Sequence, residues 1–369
     1  YKCKLSSADK SLILKRSVET IQKDKEEIAF LITAESGLSI KHSLHEVERA
    51  INCLNYSIIE SERICNKNLT NEYLIDSDSS LPKLNVVAEP MDLTIAITPF
   101  NHPLNLVIHK VAPSIVSGSA MVLKPSEKTP LTALKLGDIL FDSGLPLNHL
   151  KIVNGVPPKK IVDELVTYPK IDLVSVTGGV ETGKYIEKKM IKSGNHFKKY
   201  MPELGGNATF VVLDDCDIDL ATNIALTSFD NSGQRCTAIR RILLHEAISK
   251  HFLDSFIEKT KKLKVGDPMD PETDIGTVIN EQQVDLIQSR ISQSLTNGAE
   301  IIFGNERNGA QLSPTIINNV NIGSELVAEE TFGPVVSIIK IQNLDQAINY
   351  IRNDKFGLAS AIATSKKEN

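Results

Sequence analysis

Apolar residues recur at helical spacing through residues 8–60, where Val47, Ile51, Leu54 and Ile58 form one stripe and Arg49, Cys53 and Tyr56 fall on the opposite face. This stripe predicts helices that bury one side. After the stretch Leu81–Glu89 the pattern changes. Short apolar runs, too short for helices, alternate with helical patterns: strand Leu93–Thr98, strand 120–124, helix 130–143, strand 150–153, helix 158–166, strand 171–176 and helix 181–192. The alternation predicts βαβ units and a parallel sheet covered by helices on both faces. Past Glu203 the rhythm restarts with strand Thr209–Leu213, a helix near 217–229, strand Ile239–Leu244 and helices at 246–262 and 281–297. The restart places a domain boundary near residue 203 and predicts domains 1–202 and 203–369.

A chain of 369 residues suits two ordinary cores better than one. Its 41 basic and 46 acidic side chains give a net charge of −5, and no basic block is aromatic-studded, which argues against nucleic acid as a partner. The five cysteines (Cys3, Cys53, Cys65, Cys216, Cys236) are scattered and lack CxxC spacing. That pattern disfavours a disulfide framework or a metal site and predicts a reducing, cytoplasmic setting. No apolar run approaches the roughly 18–20 residues that cross a bilayer, and no signal-peptide pattern opens the chain.

Within Asn231-Ser-Gly-Gln-Arg-Cys-Thr-Ala238, Cys236 follows a flexible Ser-Gly turn and Arg235. That surround leaves room for a substrate and offers a positive charge to a thiolate. An isolated cysteine is more often a packed residue. Four further segments change the balance: Ile97-Thr-Pro-Phe-Asn-His-Pro103, Leu123-Lys-Pro-Ser-Glu-Lys-Thr-Pro130, Pro202-Glu-Leu-Gly-Gly206 and Glu329-Glu-Thr-Phe-Gly-Pro-Val335. With these motifs in this order, the chain resembles the NAD(P)-dependent aldehyde dehydrogenase superfamily from about Ile28 to its last residue.

The resemblance implies an α/β aldehyde dehydrogenase fold, with a Rossmann-like NAD-binding domain and an α/β catalytic domain. Cys236 matches the nucleophile. Asn101 matches the donor to the oxyanion, although an asparagine there also suits a helix cap. Glu203 matches the general base, a role that a carboxylate in an apolar surround performs well, whereas a lone Glu at a strand end is usually a solvated charge. Thr98, Pro99, Phe100, Lys124, Ser126 and Glu127 match cofactor positions, and a carboxylate at 127 fits the free 2′-hydroxyl of NAD better than the 2′-phosphate of NADP. Gly178 and Gly179, in Thr177-Gly-Gly-Val-Glu-Thr-Gly183, suit a pyrophosphate at a helix start or a plain tight turn. Glu330 and Phe332 match residues that hold the nicotinamide ribose and ring. The family often has serine at 179 and lysine at 207, where this chain has Gly179 and Asn207.

Longer stretches, among them Gly266-Asp-Pro-Met-Asp-Pro-Glu-Thr-Asp274, are most similar to the branch that oxidises phosphonoacetaldehyde to phosphonoacetate, and next to those acting on glyceraldehyde 3-phosphate or lactaldehyde. An anionic substrate suits Arg49, His102 and Arg235, expected at the pocket mouth. A polar-face arginine is usually solvated, and His102 also suits a helix start. The resemblance implies NAD (NADP as alternative), no metal, a homodimer or homotetramer, and an oligomerisation hairpin at about 73–91. Because the family's chains continue beyond the strand-like pattern at 356–364, this chain reads as a fragment that lacks a C-terminal catalytic segment. Rival classes are a cofactor-independent cysteine hydrolase, which has no use for Lys124, Glu127, Glu330 or Phe332, and a non-catalytic binding protein.

Overall fold

The computed structural model describes residues 5–66 and 89–368. The expected hairpin, apart from its last three residues, lies outside the described residues, as does most of the stretch 81–89. Contacts divide the chain into two compact units, one of residues up to Leu31 with Leu44–Glu203, the other of Ile32–Ser43 with Leu204–Asn369. The second unit thus takes in a segment that the sequence assigned to the first domain. Its turn holds Gly37 at φ +75, where a Cβ would lie 1.9 Å from Thr277 Oγ1.

The helical stretch at the start is three helices, α1 (Ser7–Lys23), α2 (Lys25–Ser36) and α3 (Ile40–Asn66). Val47, Ile51, Leu54 and Ile58 of α3 are all buried, as their spacing predicts. Next come β1 (Leu93–Ile97), α4 (Asn105–Ser117), β2 (Ala120–Lys124), α5 (Leu131–Asp142), β3 (Leu150–Ile152), α6 (Pro158–Thr167), β4 (Leu173–Gly178), α7 (Val180–Lys192) and β5 (Lys199–Leu204). The strands form a five-stranded sheet of order β3-β2-β1-β4-β5. Pairings β1 with β2, β1 with β4 and β2 with β3 are parallel. The strand order reverses between β1 and β4, the kind of place where open parallel sheets bind ligands.

The second unit holds β6 (Ala208–Val212), α8 (Ile218–Leu226), β7 (Ile239–His245), α9 (Ser249–Thr260), α10 (Glu281–Thr296) and β8 (Glu300–Phe303). A two-residue pair, β9 (Arg307–Asn308) and β10 (Gln311–Leu312), precedes β11 (Thr315–Asn318), α11 (Glu325–Ala328), β12 (Val335–Ile341), α12 (Leu344–Arg352) and β13 (Ser360–Ala363). Six of these strands form a sheet of order β13-β6-β7-β12-β11-β8, parallel except for β8. One face packs on Phe210, Phe229, Phe252 and Phe256; the other packs on Val284, Ile287 and Ile291 of α10. The helix predicted near 217–229 is α-helical to Leu226 and continues as a 3₁₀ turn until Asp230, Asn231 and Ser232 leave helical geometry, the last two with φ of 55 and 52. The helix predicted over 246–262 begins as a 3₁₀ turn and becomes α-helical at Ser249. Among the described residues no helix is long and apolar enough to cross a membrane.

Candidate active site

In the first unit, the loop 98–104 leaves β1 at the reversal of strand order. Asn101 on this loop is buried, with 4% of its surface exposed. The start of the following helix is capped by Glu46 of α3, whose Oε1 accepts the backbone N–H groups of Leu104 (2.8 Å) and Asn105 (3.0 Å). Glu46 Oε2 stands 3.3 Å from His102 Nδ1, so His102 meets a buried carboxylate. The sequence reading missed Glu46; its one signal was a carboxylate beside Val47 at the edge of the apolar stripe.

Arg49 is exposed. Burial first, then the charges of Arg49, Lys110 and His102, lower the pKa of His109. Lys110 was also missed. It is almost buried, donates from Nζ to Ser175 Oγ at 2.8 Å, and is brought by burial to about 8 against the opposing charge of Glu203. Glu203 lies on β5 and is exposed, as are Met201 and Pro202. Among the described residues Glu203 is therefore open to solvent.

On the loop after β2, Lys124 donates to Pro125 O (3.0 Å) and Glu127 Oε2 (2.9 Å). Burial opposes ionisation of Glu127, but the hydrogen bond and charge of Lys124 prevail and its pKa is lowered. Ser126 Oγ accepts the N–H of Lys128, and the Lys128 ammonium lies 5.1 Å from the Phe100 ring. Thr98 is buried and Pro99 is partly exposed. Gly178 and Gly179 lie where a Cβ would meet nothing within 4 Å, and no side chain caps α7 behind Gly179. An open helix N-terminus after β4, with an ammonium at the end of β2 and a carboxylate on the loop that follows it, on the far side of β1, suits the pyrophosphate and ribose of a dinucleotide.

In the second unit, Cys236 follows a tight 3₁₀ segment, Thr227–Gly233. A Cβ on Gly206 would lie 2.0 Å from Cys236 O, and one on Gly205 would lie 2.2 Å from Glu330 Oε2. These two glycines let the chain press against both residues. Gly206 N–H donates to Glu330 Oε1 at 3.0 Å, yet burial still raises the Glu330 pKa. Arg235 was expected to favour the thiolate of Cys236. The balance runs the other way: burial first, then the charge of Glu330, push the Cys236 thiol up, and Arg235 offsets only part of this. Its guanidinium is engaged by Asp230, Nη1 to Oδ2 at 3.2 Å.

The sign fixes an expected result. Carboxymethylation at Cys236 should still accelerate with pH above the ordinary thiol value of about 8.5. Glu330→Gln should lower its midpoint. Since Cys53 and Cys216 are also free thiols, the label must be assigned by peptide mass. A midpoint at or below the ordinary value, or one that Glu330→Gln leaves unmoved, contradicts this reading.

Residues 3–369 match the model of the aldehyde dehydrogenase family. The chain is 34% identical over 364 residues to a sulfoacetaldehyde dehydrogenase of Neptuniibacter caesariensis, covering 97% of this chain and 77% of that protein. It is likewise 34% identical over 354 residues to a 3-sulfolactaldehyde dehydrogenase of Priestia megaterium, covering 96% of this chain and 72% of the relative. Among solved structures, an NADP-dependent enzyme of E. coli superposes with a TM-score of 0.93 at 29% identity, covering 99% of this chain and 75% of the other.

Proposed function

Because the chain belongs to the aldehyde dehydrogenase family, we propose that it oxidises a short anionic aldehyde to its carboxylate with a nicotinamide dinucleotide, phosphonoacetaldehyde being the first candidate. The anionic preference is supported by the placement of Arg49 on α3, His102 on the Asn101 loop and Lys110 on α4, which follows that loop. The names of the sulfoacetaldehyde and sulfolactaldehyde relatives support the same charge class and make sulfonates the closest competitors.

In the proposed chemistry, the Cys236 thiolate bonds to the carbonyl carbon and the carbonyl electrons move to oxygen. The Asn101 amide and the Cys236 backbone N–H donate to that oxyanion, each worth roughly 3–4 kcal/mol. The bound dinucleotide supplies a hydride acceptor. Lys124, Glu127 and the α7 N-terminus would hold its adenosine and pyrophosphate, and Glu330 and Phe332 its nicotinamide end. Loss of hydride leaves an acyl thioester on Cys236. Glu203 then takes a proton from water, the oxygen attacks the acyl carbon, and the thiolate departs. Glu127 disfavours a 2′-phosphate and so supports NAD, while the E. coli neighbour is an NADP-dependent enzyme.

A panel of phosphonoacetaldehyde, sulfoacetaldehyde, glyceraldehyde 3-phosphate, lactaldehyde and acetaldehyde, followed by NADH or NADPH absorbance, tests the charge class. Anionic members should exceed acetaldehyde in kcat/KM. Arg49 is exposed, so solvent screening limits its contact, and Arg49→Ala should cost the anionic substrates about tenfold with little change on acetaldehyde. An equal loss on charged and neutral aldehydes would make Arg49 structural. A preference for glyceraldehyde 3-phosphate or lactaldehyde would move the assignment to those substrates.

A further inference from the structure

Two consecutive arginines, Arg240 and Arg241, lie on β7, and each is 2% exposed. Alternation along a strand sends them to opposite faces. Arg241 has an acidic partner, Asp354, and also donates to Asn207 O. Arg240 donates to three carbonyl oxygens: Gly333 O at 2.6 Å, Arg235 O at 3.1 Å, and Gly233 O. Its guanidinium carbon also lies 5.6 Å from the centre of the Phe332 ring.

These acceptors belong to two loops. Gly233 and Arg235 precede the nucleophile; Gly333 follows Phe332 and Glu330. The loops meet backbone to backbone, since a Cβ on Gly233 (φ +66) would lie 2.1 Å from Gly333 O. Between two carbonyl-bearing loops at such range, one planar guanidinium can donate to both. Full burial of an arginine without a carboxylate in hydrogen-bond contact is costly, so so expensive a residue is poorly explained by packing alone.

We propose that Arg240 is a positioning residue that clasps the Cys236 loop to the Glu330–Gly333 loop and so fixes the thiol relative to the nicotinamide end of the cofactor. The inference rests on the roles proposed above for Cys236, Glu330 and Phe332. Arg240 acts through the two loops whose carbonyls it bonds. An apolar side chain leaves three carbonyls without this donor, and a lysine offers one ammonium in place of the two-pronged fork.

The test compares wild type, Arg240→Lys and Arg240→Met by circular dichroism, melting temperature, NAD(P) binding by fluorescence, Cys236 alkylation without cofactor, and steady-state kinetics. A misplacement near 1 Å costs about a hundredfold, so Arg240→Met should lose about that much in kcat while KM for the aldehyde changes less than about threefold. Cofactor affinity should fall about tenfold as Phe332 loses its support. Arg240→Lys should recover at least part of both losses. Should the methionine variant fail to fold, the lysine variant decides: folded, with reduced kcat and weaker cofactor binding, it supports the clasp. A folded variant with wild-type kcat, alkylation rate and cofactor affinity overturns it, as does a fall in melting temperature with unchanged activity per folded molecule. If the wild type oxidises no aldehyde, the dehydrogenase reading fails, and the alkylation and cofactor-binding comparison still decides the clasp.

Discussion

Cys236→Ser is expected to reduce NAD(P)-dependent aldehyde oxidation by about 10⁴-fold or more, because a serine hydroxyl without its own activating base is a poor nucleophile at neutral pH. Cofactor affinity should stay near that of wild type. Lys124, Glu127, Gly178 and Gly179, proposed to hold the dinucleotide, all lie in the first unit, and serine differs from cysteine by one atom. The resting thiol's pKa is raised by burial and then by the charge of Glu330. A serine enzyme that is folded, binds cofactor and still turns over aldehyde at more than about a hundredth of the wild-type rate would remove Cys236 from the chemistry.

Glu203→Gln should separate the two halves of the reaction. Removing a general base typically costs about 10²–10⁴-fold in the step that it serves. The loss should fall on thioester hydrolysis. Rapid mixing should show a burst of NAD(P)H near one equivalent per site, followed by slow turnover. Glu203 is exposed on β5, so the isosteric glutamine should leave stability within about 0.5 kcal/mol. Burst and steady state falling together would mean that Glu203 acts before hydride transfer, for example on the thiol.

Much of the scaffold was legible in the sequence. Strands such as 120–124 and 239–244 are short apolar runs between turn signals, and the structure sets them within a residue of their predicted ends. The α3 stripe was equally clear, because burial on one helix face writes itself at three- and four-residue spacing. Other features depend on partners far along the chain. Glu46 caps α4 from 58 residues away, and Arg240 reaches Gly333 across 93. No local pattern announces either bond. The left-handed geometry of Asn231, Ser232 and Gly233 after the α8 stretch was not legible, because residue identity permits it without requiring it.

The candidate site was legible in its identities and less so in its electrostatics. A cysteine after an arginine reads as an activated thiol, yet Asp230 engages Arg235 while Glu330, 94 positions past Cys236, exerts the larger effect. Glu203 was expected in an apolar surround and stands exposed. The charge on His109 from Arg49, His102 and Lys110 was likewise hidden, since it needs α3 and α4 to meet.

The central claim is that Cys236 carries the acyl group between oxidation and hydrolysis. The direct measurement mixes Glu203→Gln enzyme with NAD(P) and the best aldehyde of the panel, quenches in acid within the burst, and weighs the cysteine peptides. The account predicts an added acyl mass on the peptide containing Cys236, close to one equivalent, removed by hydroxylamine and absent without cofactor. A burst of NAD(P)H with no acyl mass on Cys236, or with that mass on Cys53 or Cys216, would contradict it.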